Sequence, residues 1–175
     1  MERDETPTPP ASEPNPISQH NQSGKPLRLF HINHSSNDQA VFQAACRKGG
    51  ILFDWHTVDS ADKGIYYLQS LMQQSSKCAD CWPDLVLLDI AMPKATGFEV
   101  LKFIRQTPKL KHLLVIILTG DLQPQNRDEA VKLGANGFIL KPHGVEETVR
   151  VARQMYEMLK VHNPAEGQEQ WKDIG

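Results

Sequence analysis

The stretch Asp84-Leu85-Val86-Leu87-Leu88-Asp89 decides the fold of this chain. Four consecutive aliphatic residues between two acids predict a strand that is buried on both faces, as strands are in a parallel sheet covered by helices. Asp89 follows the apolar run directly, and Ile90-Ala91-Met92-Pro93 separates it from Lys94 to Gly97. Open α/β sheets bind their ligands beyond the carboxyl ends of the strands. The sequence therefore predicts an α/β fold with Asp89 in the functional crevice.

The segments around this strand alternate between strand and helix patterns. Apolar residues three or four positions apart mark the helices, and Gly49, Gly50 and Gly134 supply helix ends. Five strands alternating with five helices favour one doubly wound, five-stranded parallel sheet, a (βα)5 arrangement. We predict strands at residues 27–32, 52–58, 85–88, 113–118 and 137–140, and helices at residues 38–48, 61–73, 97–105, 124–133 and 145–159.

Helical spacing also predicts which side chains face the sheet. On the first helix it places Val41, Ala44 and Ala45 on the inner face. On the last helix Met155 and Met158 are expected to extend the apolar face outward. Such an extension would favour a surface for a partner or a second copy.

Bulk composition narrows the class of protein. The chain has 175 residues, enough for one domain with a sizeable core, and its net charge of −2 gives no electrostatic case for nucleic acid or a membrane surface. No apolar run approaches the roughly 20 residues that a membrane span needs, and the N-terminus lacks an apolar signal core. Three cysteines do not suggest a disulfide framework. We expect a cytoplasmic protein with reduced thiols.

The two ends of the chain differ from its centre. Residues 1–26 contain six of the twelve prolines among polar residues, which predicts a disordered, proline-rich arm. Residues 163–175 form a polar C-terminal tail, apart from Trp171 and Ile174. The folded domain is expected over residues 27–162.

Polar residues that could carry chemistry follow four of the predicted strands. Asn33 and His34 follow the first strand, Asp89 the third, Thr119 the fourth and Lys141 the fifth. An acid, a hydroxyl and an ammonium that converge at one edge suit an aspartyl-phosphate. The carboxylate is the nucleophile, the lysine pairs with charge, and the hydroxyl binds a phosphoryl oxygen.

Residues 27–160 resemble a response-regulator receiver domain of the CheY-like superfamily. The resemblance rests on the residues at the positions of the family motif. The matching positions are the acceptor Asp89, the loop residues Pro93 and Gly97, the switch hydroxyl Thr119, the switch aromatic Phe138, and Lys141-Pro142. The resemblance implies two-component (phosphorelay) signalling, in which Asp89 is phosphorylated by a sensor histidine kinase. It also implies a cis bond between Lys141 and Pro142. The polar stretch 73–82 resembles single-domain regulators that partner bacterial phytochromes.

The sequence departs from the family at Asn33 and His34. Receivers usually carry two acids there, which hold Mg²⁺ together with the acceptor, here Asp89, and a backbone carbonyl, here that of Ala91. Mg²⁺ demands oxygen ligands, so Asn33 can still offer a carbonyl oxygen but His34 is a poor substitute. We therefore expect Mg²⁺ binding to be weak or absent and Mg²⁺-dependent phosphorylation to be impaired.

Several interpretations of individual residues remain open. His34 could recruit a softer ion such as Mn²⁺ or Zn²⁺ with Asp89, could simply mark a lost metal site, or could mimic the metal when protonated. His31 is expected to be a satisfied buried or edge histidine. Cys78-Ala79-Asp80-Cys81 is a lone CxxC without further zinc ligands, and it precedes a strand, so a metal or redox role is not favoured.

Three hypotheses follow. The first is an atypical single-domain response regulator that acts through protein–protein contacts and is not an enzyme. Its expected partners are a sensor histidine kinase or a downstream signalling protein. A second copy of the chain could also bind, at the face of the fourth helix, fifth strand and fifth helix. The second is a competent receiver that is phosphorylated on Asp89. The third is a transition-metal sensor that uses His34 and Asp89.

Overall fold

The computed structural model describes residues 26–74, 81–93, 96–120 and 123–161. Within these ranges, strands and helices alternate along the chain as the apolar patterns predict. The elements are β1 (Leu27–Ile32), α1 (Ser36–Lys48), β2 (Phe53–Val58), α2 (Ala61–Gln74), β3 (Leu85–Leu88), α3 (Gly97–Gln106), β4 (Val115–Thr119), α4 (Pro124–Lys132), β5 (Gly137–Leu140) and α5 (Val145–Val161).

All five strands belong to one parallel sheet in the order β2-β1-β3-β4-β5. The chain reverses its direction of winding between β1 and β3, which lie side by side. In doubly wound sheets this reversal opens the crevice where ligands bind. The strand register places Ile32 opposite Leu88, so the residues that follow β1 and β3 emerge together at the crevice. The predicted doubly wound fold is confirmed.

Alternate residues of a strand pack into two separate hydrophobic cores, because successive side chains of a strand point to opposite faces of the sheet. On one face, Leu85 and Leu87 pack with α1 and α5, where Tyr156 is the largest buried side chain. On the other face, Val86 and Leu88 pack with α2, α3 and α4. The apolar run of β3 is therefore buried on both sides.

Two predictions of side-chain direction are wrong. On α1 the inward residues are Phe42, Ala45 and Cys46, whereas Val41 and Ala44 are exposed. The large Phe42 side chain sets the buried face of this helix, which carries few other large apolar residues. On α5, Met155 is fully buried and does not extend the surface outward.

Some expectations lie partly or wholly outside the described residues. These are the N-terminal arm, the C-terminal tail and Cys78. Cys81 is disulfide-bonded, so the expectation of reduced thiols is wrong for this residue. Cys46 is free and buried, and burial raises the pKa of its thiol to about 12. Among the described residues, no helix has both the length and the apolar character needed to span a membrane.

Candidate acceptor site

Asp89 is buried directly after β3 and is held by the backbone on two sides. Its N–H donates to the Ile32 carbonyl at 2.9 Å, and its Oδ1 accepts from the Ala91 N–H at 2.9 Å. Gly97 begins α3 so close to this turn that an added Cβ would collide with the Asp89 carbonyl oxygen and lie 2.9 Å from the Ile90 Cα. The loop after β3 therefore fixes the direction of the carboxylate.

Lys141 reaches Asp89 from the end of β5. Its backbone N–H donates to the Thr119 carbonyl at 2.7 Å, which continues the pairing of β4 and β5 by one residue. Its Nζ lies 2.8 Å from Asp89 Oδ2 and 2.8 Å from Asp38 Oδ2. Burial acts to lower the pKa of Lys141, but the hydrogen bonds and charges of Asp38 and Asp89 outweigh it and raise the pKa. The ammonium thus links two carboxylates.

The expected cis bond between Lys141 and Pro142 is wrong, since no peptide bond in the described residues is cis. The trans isomer is favoured by about 0.5–1 kcal/mol at X–Pro bonds in general. Lys141 reaches Asp89 with the bond in this lower-energy form.

Asp38 is a member of this cluster that the sequence analysis missed. It lies in the first turn of α1, whose N-cap is Ser35, and its N–H donates to Ser35 Oγ at 3.1 Å. Burial acts to raise the pKa of Asp38, but the hydrogen bonds from Lys141 and Ser35 and the charge of Lys141 lower it overall. Ser35-Ser36-Asn37-Asp38 fits the Ser/Thr-x-x-Asp/Glu pattern that marks a helix start, although the Ser35 N–H donates to Asn33 Oδ1 and not to Asp38. Together with the doubly wound fold, that pattern would have placed Asp38 in the first helical turn after β1, near Asp89.

Asn33 and His34 occupy the end of β1 but offer little to a hard metal ion. Asn33 is buried, and its Oδ1 accepts from the Ser35 N–H at 2.9 Å, while its Nδ2 has no hydrogen-bond partner within accepted geometry. His34 is exposed, and its Nδ1 lies 3.5 Å from Asp89 Oδ2. That distance is an ion pair only when His34 is protonated. The Asn33 side-chain oxygen already accepts one hydrogen bond, and the His34 side chain offers only nitrogen.

These donors do not fit Mg²⁺, which prefers six oxygen ligands in near-octahedral geometry. The Asn33 oxygen is already used, its free amide nitrogen is a donor, and His34 supplies nitrogen. The Asp89 carboxylate is itself engaged by Lys141 and Ala91. Within the described ranges, no three His, Cys, Asp or Glu side chains are arranged to hold a metal ion.

The two residues expected to switch lie on neighbouring strands. Thr119 ends β4, is fully buried, and is joined to Lys141 through its carbonyl. Phe138 pairs with Ile117 in the register of β4 and β5, and it is partly buried against the core of α2, α3 and α4. Asp89, Thr119 and Lys141 therefore lie at one edge of the sheet, as their positions after consecutive strands predict.

His31 is buried beneath this cluster, in β1. The expectation that it is satisfied is wrong, because neither ring nitrogen has a hydrogen-bond partner. Its ring lies between Phe42 and Trp55, with centroid distances of 5.9 and 6.4 Å. Burial, and then the positive charge of Lys141, lower the pKa of His31 to about 4. The ring is therefore neutral at pH 7.

Residues 38–153 match the family model of the response regulator receiver domain. The chain belongs to the response-regulator receiver family. The receiver domain is a module of two-component signalling. The match to the family model begins at Asp38, which follows Asn33 and His34 in the sequence. The two-component response regulator ORR1 of Oryza sativa subsp. indica is 30% identical over 128 residues, which cover 72% of this chain and 54% of that relative. The chain thus spans about half the length of this relative.

Solved structures show the same receiver fold. The phosphorylated cyanobacterial phytochrome response regulator RcpA matches with a TM-score of 0.66 at 24% identity, over 78% of this chain and 96% of that one. The Mn²⁺-bound form of response regulator Rcp1 matches with a TM-score of 0.63 at 23% identity, over 79% and 98%. Phytochrome regulators are thus among the structural neighbours of this receiver, and at these identities the likeness concerns the fold alone.

Proposed function

We propose that this receiver is an atypical response regulator that acts through protein–protein contacts, with impaired Mg²⁺-dependent phosphorylation of Asp89. One observation carries the proposal. At the end of β1, where the family places its acidic pair, Asn33 and His34 provide an amide bound to the backbone and an imidazole 3.5 Å from Asp89. The site keeps the acceptor and the lysine but lacks the two acidic ligands that the family places after β1.

The remaining residues would have separate roles in any phosphoryl transfer. The Asp89 carboxylate is the nucleophile, the Lys141 ammonium meets the charge of the incoming group, and the Thr119 hydroxyl bonds a phosphoryl oxygen. Phe138 changes its packing with the state of the site. Phosphoryl transfer depends on neutralising the charge of the transferred group, usually with a metal ion. A single ammonium already shared by two carboxylates is a weak replacement.

The expected partners are a sensor histidine kinase or a downstream signalling protein. Val131 on α4 and Val145 on α5 are exposed apolar side chains. If a partner or a second copy of the chain docks on the face of α4, β5 and α5, it would cover exposed apolar side chains of these helices. A cytoplasmic location fits this role. The proposed role requires no separate substrate.

One observation favours the second hypothesis, in which Asp89 is a competent phospho-acceptor. Lys141 Nζ is already 2.8 Å from Asp89 Oδ2, the contact on which a receiver depends. The transition-metal hypothesis has less support, because within the described ranges His34 and Asp89 have no third ligand arranged with them.

Phosphorylation with a small donor separates the first two hypotheses. The protein is incubated with acetyl phosphate and Mg²⁺, then with Mn²⁺, and phosphate is read as a gain in intact mass. We expect little gain in the wild type, and at least about tenfold faster gain in the double variant Asn33→Asp/His34→Asp, because restored acids recruit the metal. Asp89→Asn in both backgrounds is the matched control.

A wild-type gain as fast as that of the double variant, and abolished by Asp89→Asn, would establish the competent acceptor. Equal gains would also mean that Asn33 and His34 do not limit the reaction. A gain confined to the double variant supports the atypical receiver.

A further inference from the structure

Asp38, Lys141 and Asp89 form a continuous bridge across the acceptor site. Lys141 Nζ donates to Asp38 Oδ2 and to Asp89 Oδ2, each at 2.8 Å. We propose that Asp38 is a positioning residue for the acceptor: it supplies from α1 the second carboxylate that β1 lacks, and it holds the Lys141 ammonium beside Asp89. The proposal rests on the proposed function in taking Asp89 as the acceptor.

The bridge is anchored at both ends by regular structure. Asp38 is fixed in the first turn of α1, where Ser35 caps the helix. Lys141 is fixed at the end of β5 by the bond from its N–H to the Thr119 carbonyl. The two residues are 103 positions apart in the sequence, so their contact ties α1 to β5 over Asp89. Asp38 therefore acts at the site and does not merely neutralise a neighbour in the chain.

A surface pair in the same protein shows what an unanchored bridge looks like. Lys63 Nζ lies 2.7 Å from Asp59 Oδ2, a similar distance, but the two side chains are 63% and 57% exposed and only four positions apart. Lys141 and Asp38 are 22% and 38% exposed. Water screens the surface pair more strongly, so the Asp38 bridge fixes the position of its lysine ammonium better than the surface pair does.

Open space next to Lys141 makes a restraint necessary. A cavity of about 190 Å³ lies between α1 and the start of α5, and Asp38, Phe42, Leu118, Lys141 and Thr148 are among its lining residues. A lysine side chain carries several rotatable bonds and loses rotamer freedom when it is fixed. Without Asp38, the ammonium has room to leave Asp89 for this cavity.

The reactivity of the Lys141 amine tests the proposal. Limited acetylation with acetic anhydride, followed by peptide mass spectrometry, measures each lysine's unprotonated fraction as a function of pH. In Asp38→Asn we expect the Lys141 reactivity at pH 9 to rise about three- to tenfold, since one pKa unit is a factor of ten in that fraction. Lys63 serves as the internal reference and should not change.

Two further variants make the result specific. Asp38→Glu keeps the carboxylate and should restore most of the wild-type pH profile of Lys141. Asp59→Asn removes the surface partner of Lys63 and should leave Lys141 unchanged. An unaltered Lys141 profile in folded Asp38→Asn would overturn the proposal, because Asp89 alone would then hold the ammonium.

A second measurement uses the wild-type protein and does not depend on the folding of a variant. The ionisable side chains around Lys141 are Asp38 on α1, Asp89 after β3, and His31 and His34 of the β1 segment. The ¹³Cε resonance of Lys141 should shift with the same midpoint as the ¹³Cγ resonance of Asp38 at acid pH, and a Lys141 resonance that is flat through the Asp38 transition would contradict the bridge. Neither measurement involves phosphoryl transfer, so failure here is distinguishable from failure of the proposed function.

Discussion

Two polar clusters lie at opposite ends of the β4–β5 pair, and they are built on different principles. At the amino end, the Arg105 guanidinium of α3 donates to the carbonyl oxygens of Gly134, Lys111 and Leu113 and to Asn136 Oδ1, at 2.7 to 3.2 Å. At the carboxyl end, Asp38, Lys141 and Asp89 form a bridge above buried groups that lack partners.

The difference separates a structural cluster from a functional one. Asn136 Oδ1 also accepts from the Val115 N–H at 2.8 Å, so the hydrogen-bond acceptors of the amino-end cluster are satisfied by a backbone donor and by Arg105. At the carboxyl end, Asn33 Nδ2 and both nitrogens of His31 are buried without hydrogen bonds. Proteins satisfy nearly all buried polar groups, and exceptions concentrate at functional sites. We therefore expect stability to depend on Arg105, and function on the bridge.

The largest expected effect is the replacement of Arg105. Arg105→Ala removes the side-chain donor of the Gly134 and Leu113 carbonyl oxygens, takes away one of the two donors of Asn136 Oδ1, and breaks the link between α3 and the start of β5. A fully buried group that loses its partner costs about 1–3 kcal/mol, and these groups are partly buried, so we expect the free energy of unfolding to fall by about 3 kcal/mol. Urea unfolding at pH 7 measures it, with Arg105→Lys as the conservative control. A loss of stability smaller than that caused by Lys141→Ala would contradict the view that the Arg105 cluster is structural and the bridge is functional.

The next effect is the acid sensitivity that His31 confers. The unfolded ring titrates near 6.5 and the folded ring has a pKa of about 4, so between these values the unfolded state binds the extra proton. The contribution of His31 to stability is complete above pH 6.5 and is lost as the pH falls to about 4. The difference in pKa corresponds to about 3 kcal/mol.

The variant His31→Leu removes this titration from the core. Urea unfolding of wild type and variant at pH 7 and at pH 4.5 should show a much smaller acid-induced loss in the variant. His112→Asn is a suitable control, because His112 is less buried and its pKa is also lowered by burial and by Arg105. Equal pH dependence in wild type and His31→Leu would mean that the wild-type ring finds a partner or water when it is protonated.

Most of the fold follows from apolar patterning. The runs before Asp89 and Thr119 have no polar interruption, and strands covered by helices on both faces are the arrangement that buries such runs. The same logic places Asp89 and Lys141 at one edge, because the carboxyl ends of parallel strands coincide. The inner face of α1 was harder to predict, since one large residue, Phe42, outweighs the small residues around it.

Contacts between distant polar residues were not predictable in the same way. Arg105 binds mainly backbone carbonyls, which leave no signature in the sequence. Asp38 was missed because the metal-binding pattern directs attention to the two positions directly after β1. The capping pattern that begins at Ser35 holds the relevant information, but only together with the fold does it place Asp38 beside Lys141.

The smallest expected effect is that of Asp38→Asn on stability. The folded pKa of Asp38 is lowered, so its contribution is present above the unfolded value of 3.8 and is lost as the pH falls through the folded pKa. The folded pKa of Lys141 is raised, so its contribution is present below 10.5 and is lost as the pH rises through the folded pKa. The bridge therefore stabilises the fold across the whole neutral range.

The contribution of the bridge to the free energy of unfolding is limited, because Asp38 is partly exposed and solvent screens its ion pair with Lys141. We expect Asp38→Asn to lower the free energy of unfolding by about 0.5 kcal/mol at pH 7, and by less at high salt. Urea unfolding at low and high ionic strength, with Asp59→Asn as the control for a surface pair, measures this. A loss as large as that of Arg105→Ala would make the bridge a structural cluster too. A small loss, combined with a large change in Lys141 reactivity, is what a residue that positions a charge produces.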